Sequence, residues 1–225
     1  MTAATFNVLL DLDGTLTDSQ EGIIRCMQYA LQRMGRALPE TGALRRLIGP
    51  PTQVTFGMLL GSDDAALIDE AVTLYRERFA TTGIFENRLY PGITDMLEAL
   101  RALGCRLLLA TSKPHVYAQR IVDHFGLDRW LSVVYGAELD GTRADKAELL
   151  RHLLATEHLD PARCLMAGDR RHDVLGARAN GVAVCSVLWG YGERAELEAA
   201  GPDHYCATPA ELPALVRQRV AAAIT

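Results

Sequence analysis

Two textures of apolar and polar positions divide the chain. Between residues 19 and 79 apolar side chains recur at helical spacing, beginning with Ile23, Met27, Ala30, Leu31 and Met34. Ser19 stands where an N-cap belongs, Gln20 and Glu21 occupy the first turn, and Gly35 ends the run. A short piece over 41–47 and a helix over 52–60 follow. A longer helix, capped at Ser62, carries Leu67, Ile68, Ala71, Leu74, Tyr75 and Phe79 on its apolar face. Ile48-Gly49-Pro50-Pro51 interrupts this block as a rigid loop, because each proline fixes its own φ and restricts the residue before it. No convincing strand lies between Asp18 and Phe85.

Outside that block the texture changes. Residues 6–10 form an apolar strand, and after Tyr90-Pro91-Gly92 short apolar runs alternate with helices. Strands are predicted over 106–110, 131–135, 164–167, 182–187 and 204–206. The intervening helices cover 93–103, 114–125, 144–156, 174–179 and 194–200, with a last one over 209–223. Strands that are apolar at nearly every position belong to a parallel sheet covered on both faces. The fold class is therefore α/β: a doubly wound, Rossmann-like parallel sheet core with an inserted all-helical cap. The expected core comprises 1–16 and 87–225, and the cap 17–86.

A chain of 225 residues can bury one sizeable core with a small insertion. Its net charge of −5 argues against gripping a nucleic-acid backbone, so no nucleic acid polymer is expected as partner. No stretch approaches the roughly 20 apolar residues that span a bilayer. The opening Met1-Thr2-Ala3-Ala4-Thr5 lacks a basic region, so neither a signal peptide nor a membrane partner is expected. Five widely spaced cysteines without a Cys-x-x-Cys pair read as buried free thiols in a reducing, cytoplasmic compartment. A monomer or weak homodimer is the expected assembly.

In open sheets of this type ligands bind outside the carboxyl ends of the strands, so the residues there carry the chemistry. The first strand breaks into Asp11-Leu12-Asp13-Gly14-Thr15. In extended backbone Asp11 and Asp13 share a face, and two close carboxylates favour a hard cation such as Mg2+ between them. Gly14 permits a sharp turn and lets a ligand approach the backbone. Taken alone, Asp-x-Asp reads first as an acidic turn closing a strand. The strand over 106–110 ends in Thr111 and Ser112, suited either to phosphate oxygens or to simple helix capping. Lys146 near a helix start complements the helix dipole poorly, which suits an external anion. After the strand over 164–167 come Gly168 and Asp169, a candidate metal ligand, and then Asp173, a second acid that also fits a helix cap.

In this order, the four clusters resemble the motifs of the haloacid dehalogenase superfamily, and the resemblance spans essentially the whole chain. It implies that Asp11 attacks phosphorus and that Asp13 is the general acid and base. It implies Mg2+ held by the Asp11 side chain, the Asp13 main-chain carbonyl and Asp169, with Asp173 in support. Thr111 and Lys146, with Ser112 and Gly14 beside them, would then bind the phosphoryl group. The opening Asp-Leu-Asp-Gly-Thr-Leu-Thr-Asp-Ser, Ile48-Gly49-Pro50-Pro51 and Gly168-Asp169-Arg170-Arg171-His172-Asp173 resemble the phosphoglycolate phosphatase group, and within it a 5'-nucleotidase-like branch.

An acid at position 13 favours phosphate-ester over carbon–halogen cleavage, since a departing alkoxide needs a proton and a halide does not. Residues 18–85 contain no lysine, which disfavours the Schiff-base phosphonatases of the superfamily. A sugar-phosphate phosphatase or mutase and a non-catalytic phospho-ligand-binding protein remain as alternatives. The expected substrate is a small-molecule phosphate ester, nucleoside 5'-monophosphates first and phosphoglycolate second. Arg25, Arg33, Arg36, Arg45 and Arg46 of the cap either meet such a substrate or are solvated helix-face charges. Ile48-Gly49-Pro50-Pro51 is either a loop closing over the site or a plain connector.

Overall fold

The structure is a computed structural model that describes residues 5–222. Six strands build one parallel sheet: β1 (Asn7–Leu10), β4 (Arg106–Pro114), β5 (Leu131–Ala137), β6 (Cys164–Gly168), β7 (Ala183–Val187) and β8 (His204–Cys206). Their order is β5-β4-β1-β6-β7-β8, so the chain winds one way from β1 and then returns to wind the other way. That reversal puts β1 at the centre, flanked by β4 and β6, and opens a crevice at its carboxyl end.

Alternation along these strands explains their uniform apolarity. Val8, Leu10, Leu107, Leu109, Leu165 and Ala167 face one core layer. Leu9, Leu108, Ala110, Cys164 and Met166 face the other. Helices α7 (Lys146–Thr156) and α8 (Arg171–Ala179) cover the second face with Leu150, Leu153, Val174 and Ala177. Helices α5 (Ile93–Ala102), α6 (His115–Phe125) and α10 (Glu211–Ala222) cover the first with Leu97, Ile121 and Val216. The short α9 (Arg194–Ala200) leads into β8. All five cysteines are buried and free. Among the described residues no helix is long and apolar enough to cross a membrane.

The helical block comprises α1 (Gln20–Arg33), α2 (Thr41–Arg46), α3 (Thr52–Leu60) and α4 (Ala65–Arg78), closed by a wide π-helical turn over Phe79–Gly83. It leaves and rejoins the sheet through an antiparallel ribbon of β2 (Thr17–Asp18) and β3 (Arg88–Leu89). Two-residue strands leave no alternating pattern, so the ribbon is absent from the sequence expectation.

Other boundaries also differ from the expectation. Asp64, not Ser62, caps α4, accepting from Ala66 N at 3.0 Å, while Ser62 Oγ accepts from Asp64 N at 3.1 Å. Ser19 sits at the start of α1 without capping it: its Oγ lies 3.4 Å from the Tyr191 hydroxyl, which also accepts from Ser19 N at 2.7 Å. Helix α8 begins at Arg171 rather than at 174, which puts Asp173 in its first turn. Strand β4 continues through Pro114, since Pro114 pairs with Ala137 beyond an irregularity after Ala110. Thr111, Ser112 and Lys113 therefore lie in a bulged strand extension, not in a helix N-terminus. The predicted end of the last helix, at 223, lies outside the described residues.

Candidate active site

Strand register alone gathers the acidic residues. Leu10 pairs with Leu109 on one side and Ala167 on the other, so Asp11 leaves the sheet beside the ends of β4 and β6. Its N–H still reaches Ala167 O at 3.0 Å, which holds the first residue after the strand in line. One carboxylate oxygen from each of Asp11, Asp169 and Asp173 lies within 4.8 Å of the others. Asp169 is wholly buried, and its carboxylate accepts from Tyr191 N at 2.7 Å and Thr15 Oγ1 at 3.4 Å.

Lys146 answers part of that charge. Asp145 caps α7 by accepting from Glu148 N, which sets Lys146 in the first turn pointing back under β4. Its Nζ lies 3.0 Å from Asp11 Oδ1 and 2.8 Å from Asp173 Oδ1, and donates to Ala110 O at 2.9 Å. Asp173 meanwhile accepts from Arg170 N at 3.1 Å. It thus caps its own helix and faces the site at once, combining both readings of that residue.

Three carboxylates against one ammonium leave the cluster short of positive charge. Burial pushes the Asp11 carboxyl up to about 6, with Lys146 opposing and Asp173 reinforcing the shift. Burial, with Asp173 and Asp11 alongside, raises Asp169 well above the ordinary carboxylate range. Burial by itself lowers the Lys146 ammonium, but Asp11 and Asp173 outweigh it and raise the group overall. A set of hard oxygen donors with uncompensated charge fits a divalent cation such as Mg2+.

Gly14 has φ +81°, and a Cβ there would run into the Asp169 carboxylate. Gly14→Ala is therefore expected to lower the unfolding free energy by about 1–3 kcal/mol through backbone strain. It should also abolish stabilisation by Mg2+, because Asp169 must move. Denaturant unfolding without metal, followed by thermal melts with it, measures the two effects separately.

Asp13 stands apart from the acidic trio. Its Oδ2 pairs with Lys113 Nζ at 2.5 Å, and its Oδ1 is buried with no hydrogen-bond partner among the described residues. Lys113 Nζ also lies 4.8 Å from the Phe79 ring centroid, joining β4 to the helical block. Lys113 was not singled out from sequence, yet a signal existed. The chain has only two lysines, Lys113 and Lys146, and both end on these aspartates.

Asp11, Asp13, Thr111, Ser112 and Lys113 line one wall of a cleft whose other wall is the helical block. That wall includes Ile23, Met27, Tyr75 and Phe79, with the two rings stacked at 5.4 Å, and the loop over 47–52. Thr111 Oγ1 accepts from Lys113 N at 3.3 Å, which tightens the bulge. None of the five arginines named from the sequence lines this cleft. Arg25 pairs with Glu21 and Glu86, Arg33 with Glu77, and Arg46 with Glu193. Arg45 donates to Gly190 O at 3.1 Å. The arginine that does line it is Arg76, whose guanidinium donates to Leu139 O at 2.7 Å.

The sequence model of the family described as haloacid dehalogenase-like hydrolase matches residues 8–187. The chain belongs to that family. Among relatives of this hydrolase, a 5'-nucleotidase from Pseudomonas aeruginosa is 52% identical, over 92% of this chain and 93% of its own. A phosphoglycolate phosphatase from Cupriavidus necator is 31% identical, over 93% and 92% respectively. The tyrosine-protein kinase PtkA of Mycobacterium tuberculosis is 42% identical over 82% of this chain, which spans 62% of that longer protein. A crystal structure described as a predicted phosphatase from Clostridium acetobutylicum superposes with a TM-score of 0.91 at 33% identity. It covers 96% of this chain and 100% of its own. Family, fold and relatives make this chain a phosphatase of the haloacid dehalogenase-like type.

Proposed function

We propose that this phosphatase hydrolyses small phosphomonoesters through a phosphoaspartyl group on Asp11, with nucleoside 5'-monophosphates as its main substrates. One observation carries the reading: Asp11 and Asp13 line the same cleft, while Lys146 bridges Asp11 to Asp173. Asp11 attacks phosphorus, so an Asp11–phosphorus bond forms as the ester bond breaks. Asp13 gives its proton to the departing oxygen. It then takes one from the water that displaces Asp11 and releases inorganic phosphate. Thr111 and Lys146 hold the phosphoryl oxygens and offset the charge that develops there, with Ser112 and the Gly14 turn beside them. Asp11, the Asp13 main-chain carbonyl and Asp169 would hold Mg2+, with Asp173 in support. Bound there, Mg2+ supplies charge that lets a carboxylate meet a dianionic phosphate.

Residues 17–86 act in this reading as a cap over a core of 1–16 and 87–225, and the ribbon of β2 and β3 is the joint. The apolar wall formed by Ile23, Met27, Tyr75 and Phe79 suits a nucleoside better than it suits a carboxylate. The identity with the Pseudomonas aeruginosa relative supports the same choice. Phosphoglycolate is the second reading, favoured by Arg76 as a cation within the cleft. Five buried free thiols support a cytoplasmic location.

The test is phosphate release with Mg2+ from nucleotides, phosphoglycolate, sugar phosphates and p-nitrophenyl phosphate, compared as kcat/KM. Preference for nucleoside monophosphates is expected; preference for phosphoglycolate would reverse the ranking. Asp13→Asn separates the acid role from mere packing, because kcat/KM reports only the steps up to ester cleavage. The loss should be on the order of 10²–10⁴-fold for AMP, whose alkoxide needs a proton. For p-nitrophenyl phosphate, with its stable leaving group, it should be less than about tenfold. Equal losses would remove Asp13 from the acid role.

A further inference from the structure

Arg170 directly follows Asp169 and is buried, yet much of its donor set points out of the core. Nε and Nη2 form a fork on the Glu196 carboxylate of α9, at 2.9 and 3.2 Å. Glu196 Oε1 also accepts from Arg171 N at 3.0 Å, which fixes the carboxylate. Nη1 donates to Ile48 O, and Nη2 also lies 3.4 Å from Arg46 O. Arg46 ends α2, where a helix leaves acceptors without partners and a cation is favoured, and Ile48 lies in the loop just beyond. The following Pro50 and Pro51 have no N–H to donate, so this loop is anchored to the core through its acceptors. Gly49 completes the fit. Its φ is +124°, and a Cβ there would lie 3.0 Å from Arg170 Nη1 and 3.2 Å from Cγ.

The loop so held, 47–52, forms the wall of the cleft facing Asp11 and Asp13. We infer that Arg170 is a positioning residue: its guanidinium, braced by Glu196, pins the Ile48-Gly49-Pro50-Pro51 loop over the site and ties it to the turn that carries Asp169. A buried ion pair is weak evidence for stability, and Glu196 alone already satisfies the charge of Arg170. The bonds to Arg46 and Ile48 are what that pairing does not require. Substrate therefore meets a preformed wall rather than a mobile segment, which lowers the ordering cost of binding. The kinetic consequence rests on the phosphatase reading; the structural one does not.

Three substitutions test it. Arg170→Lys keeps the charge and loses the fork. Glu196→Gln loosens the brace, and Gly49→Ala disturbs the loop side without touching the Asp169 turn. Amide hydrogen exchange at residues 47–49 and 52 should quicken by about tenfold or more in each variant, while β1 and β6 keep their protection. The KM for AMP should rise about tenfold, since ordering the loop then falls to the substrate. The shift in melting temperature caused by Mg2+ should stay that of the unaltered protein. Unchanged exchange at 47–49 would overturn the inference. So would a lost Mg2+ shift with unchanged KM, because Arg170 would then serve only the Asp169 turn. Gly49→Ala guards against a variant that fails by misplacing Asp169. Absence of phosphate release by the unaltered protein would defeat the phosphatase reading and leave the exchange result standing.

Discussion

Asp11→Asn is expected to reduce turnover by about 10⁴-fold or more, because in the proposed reaction an amide cannot take the place of a carboxylate nucleophile. The loss should appear equally with AMP and p-nitrophenyl phosphate, since no leaving group compensates for a missing attack. Folding is expected to survive. The side chain is nearly isosteric, and Leu10 and Leu12 on either side of it are fully buried and keep the strand and turn in place. The metal-free protein should melt no lower than the unaltered one at neutral pH. Asp11 has a carboxyl raised from 3.8 to about 6, chiefly by burial. The folded state then binds a proton more tightly than the unfolded chain, so this group's contribution falls as pH rises through that interval. A neutral amide removes the penalty, and Lys146 keeps Asp173 and Ala110 O as partners. Retained hydrolysis, with contaminating phosphatases excluded, would remove Asp11 from the nucleophile role.

Chelating the divalent metal is expected to abolish phosphate release, and returning Mg2+ to restore it. Without the cation, the carboxylates of Asp11, Asp169 and Asp173 repel one another and would repel an incoming phosphate dianion. Binding should also stabilise the fold by mass action, by about 2.7 kcal/mol at a hundred times the dissociation constant. For a chain of this size that is roughly 2–4 °C of melting temperature per kcal/mol. The pH dependence has a definite sign. Protons compete with the cation for carboxylates whose values are raised, Asp11 to about 6 and Asp169 also upward. The Mg2+-induced shift should therefore be full above pH 7 and shrink as pH falls through 6. A shift that grew on acidification would contradict the assignment of this cluster as the metal site.

Much of this protein is readable along the chain. Strands β1, β4 and β6 carry buried apolar side chains on both faces and run into polar residues at their carboxyl ends, so fold class and the positions of Asp11, Thr111 and Asp169 follow from local pattern. Lys146 is legible for a related reason: a cation opening a helix against the dipole calls for an anion nearby. These inferences concern residues whose neighbours in sequence define their environment.

The remaining features depend on contacts between distant segments. Lys113 meets Asp13 across 100 positions, and Arg170 meets Ile48 across 122. No periodicity encodes such pairs; they exist because the β4 extension lies beside the turn after β1, and the loop after α2 lies against the turn after β6. The arginines illustrate the difference well. Of the five that the sequence offers from the helical block, none lines the cleft, while Arg76 on α4 does. The two-residue ribbon of β2 and β3 is likewise set by closure of the insertion on the sheet. The sheet and the acids at the carboxyl ends of its central strands are written locally, because burial and strand ends are local properties. That Lys113 serves Asp13, and that the loop over 47–52 walls the cleft, comes from the packed fold, because long-range packing chooses among many equivalent polar side chains.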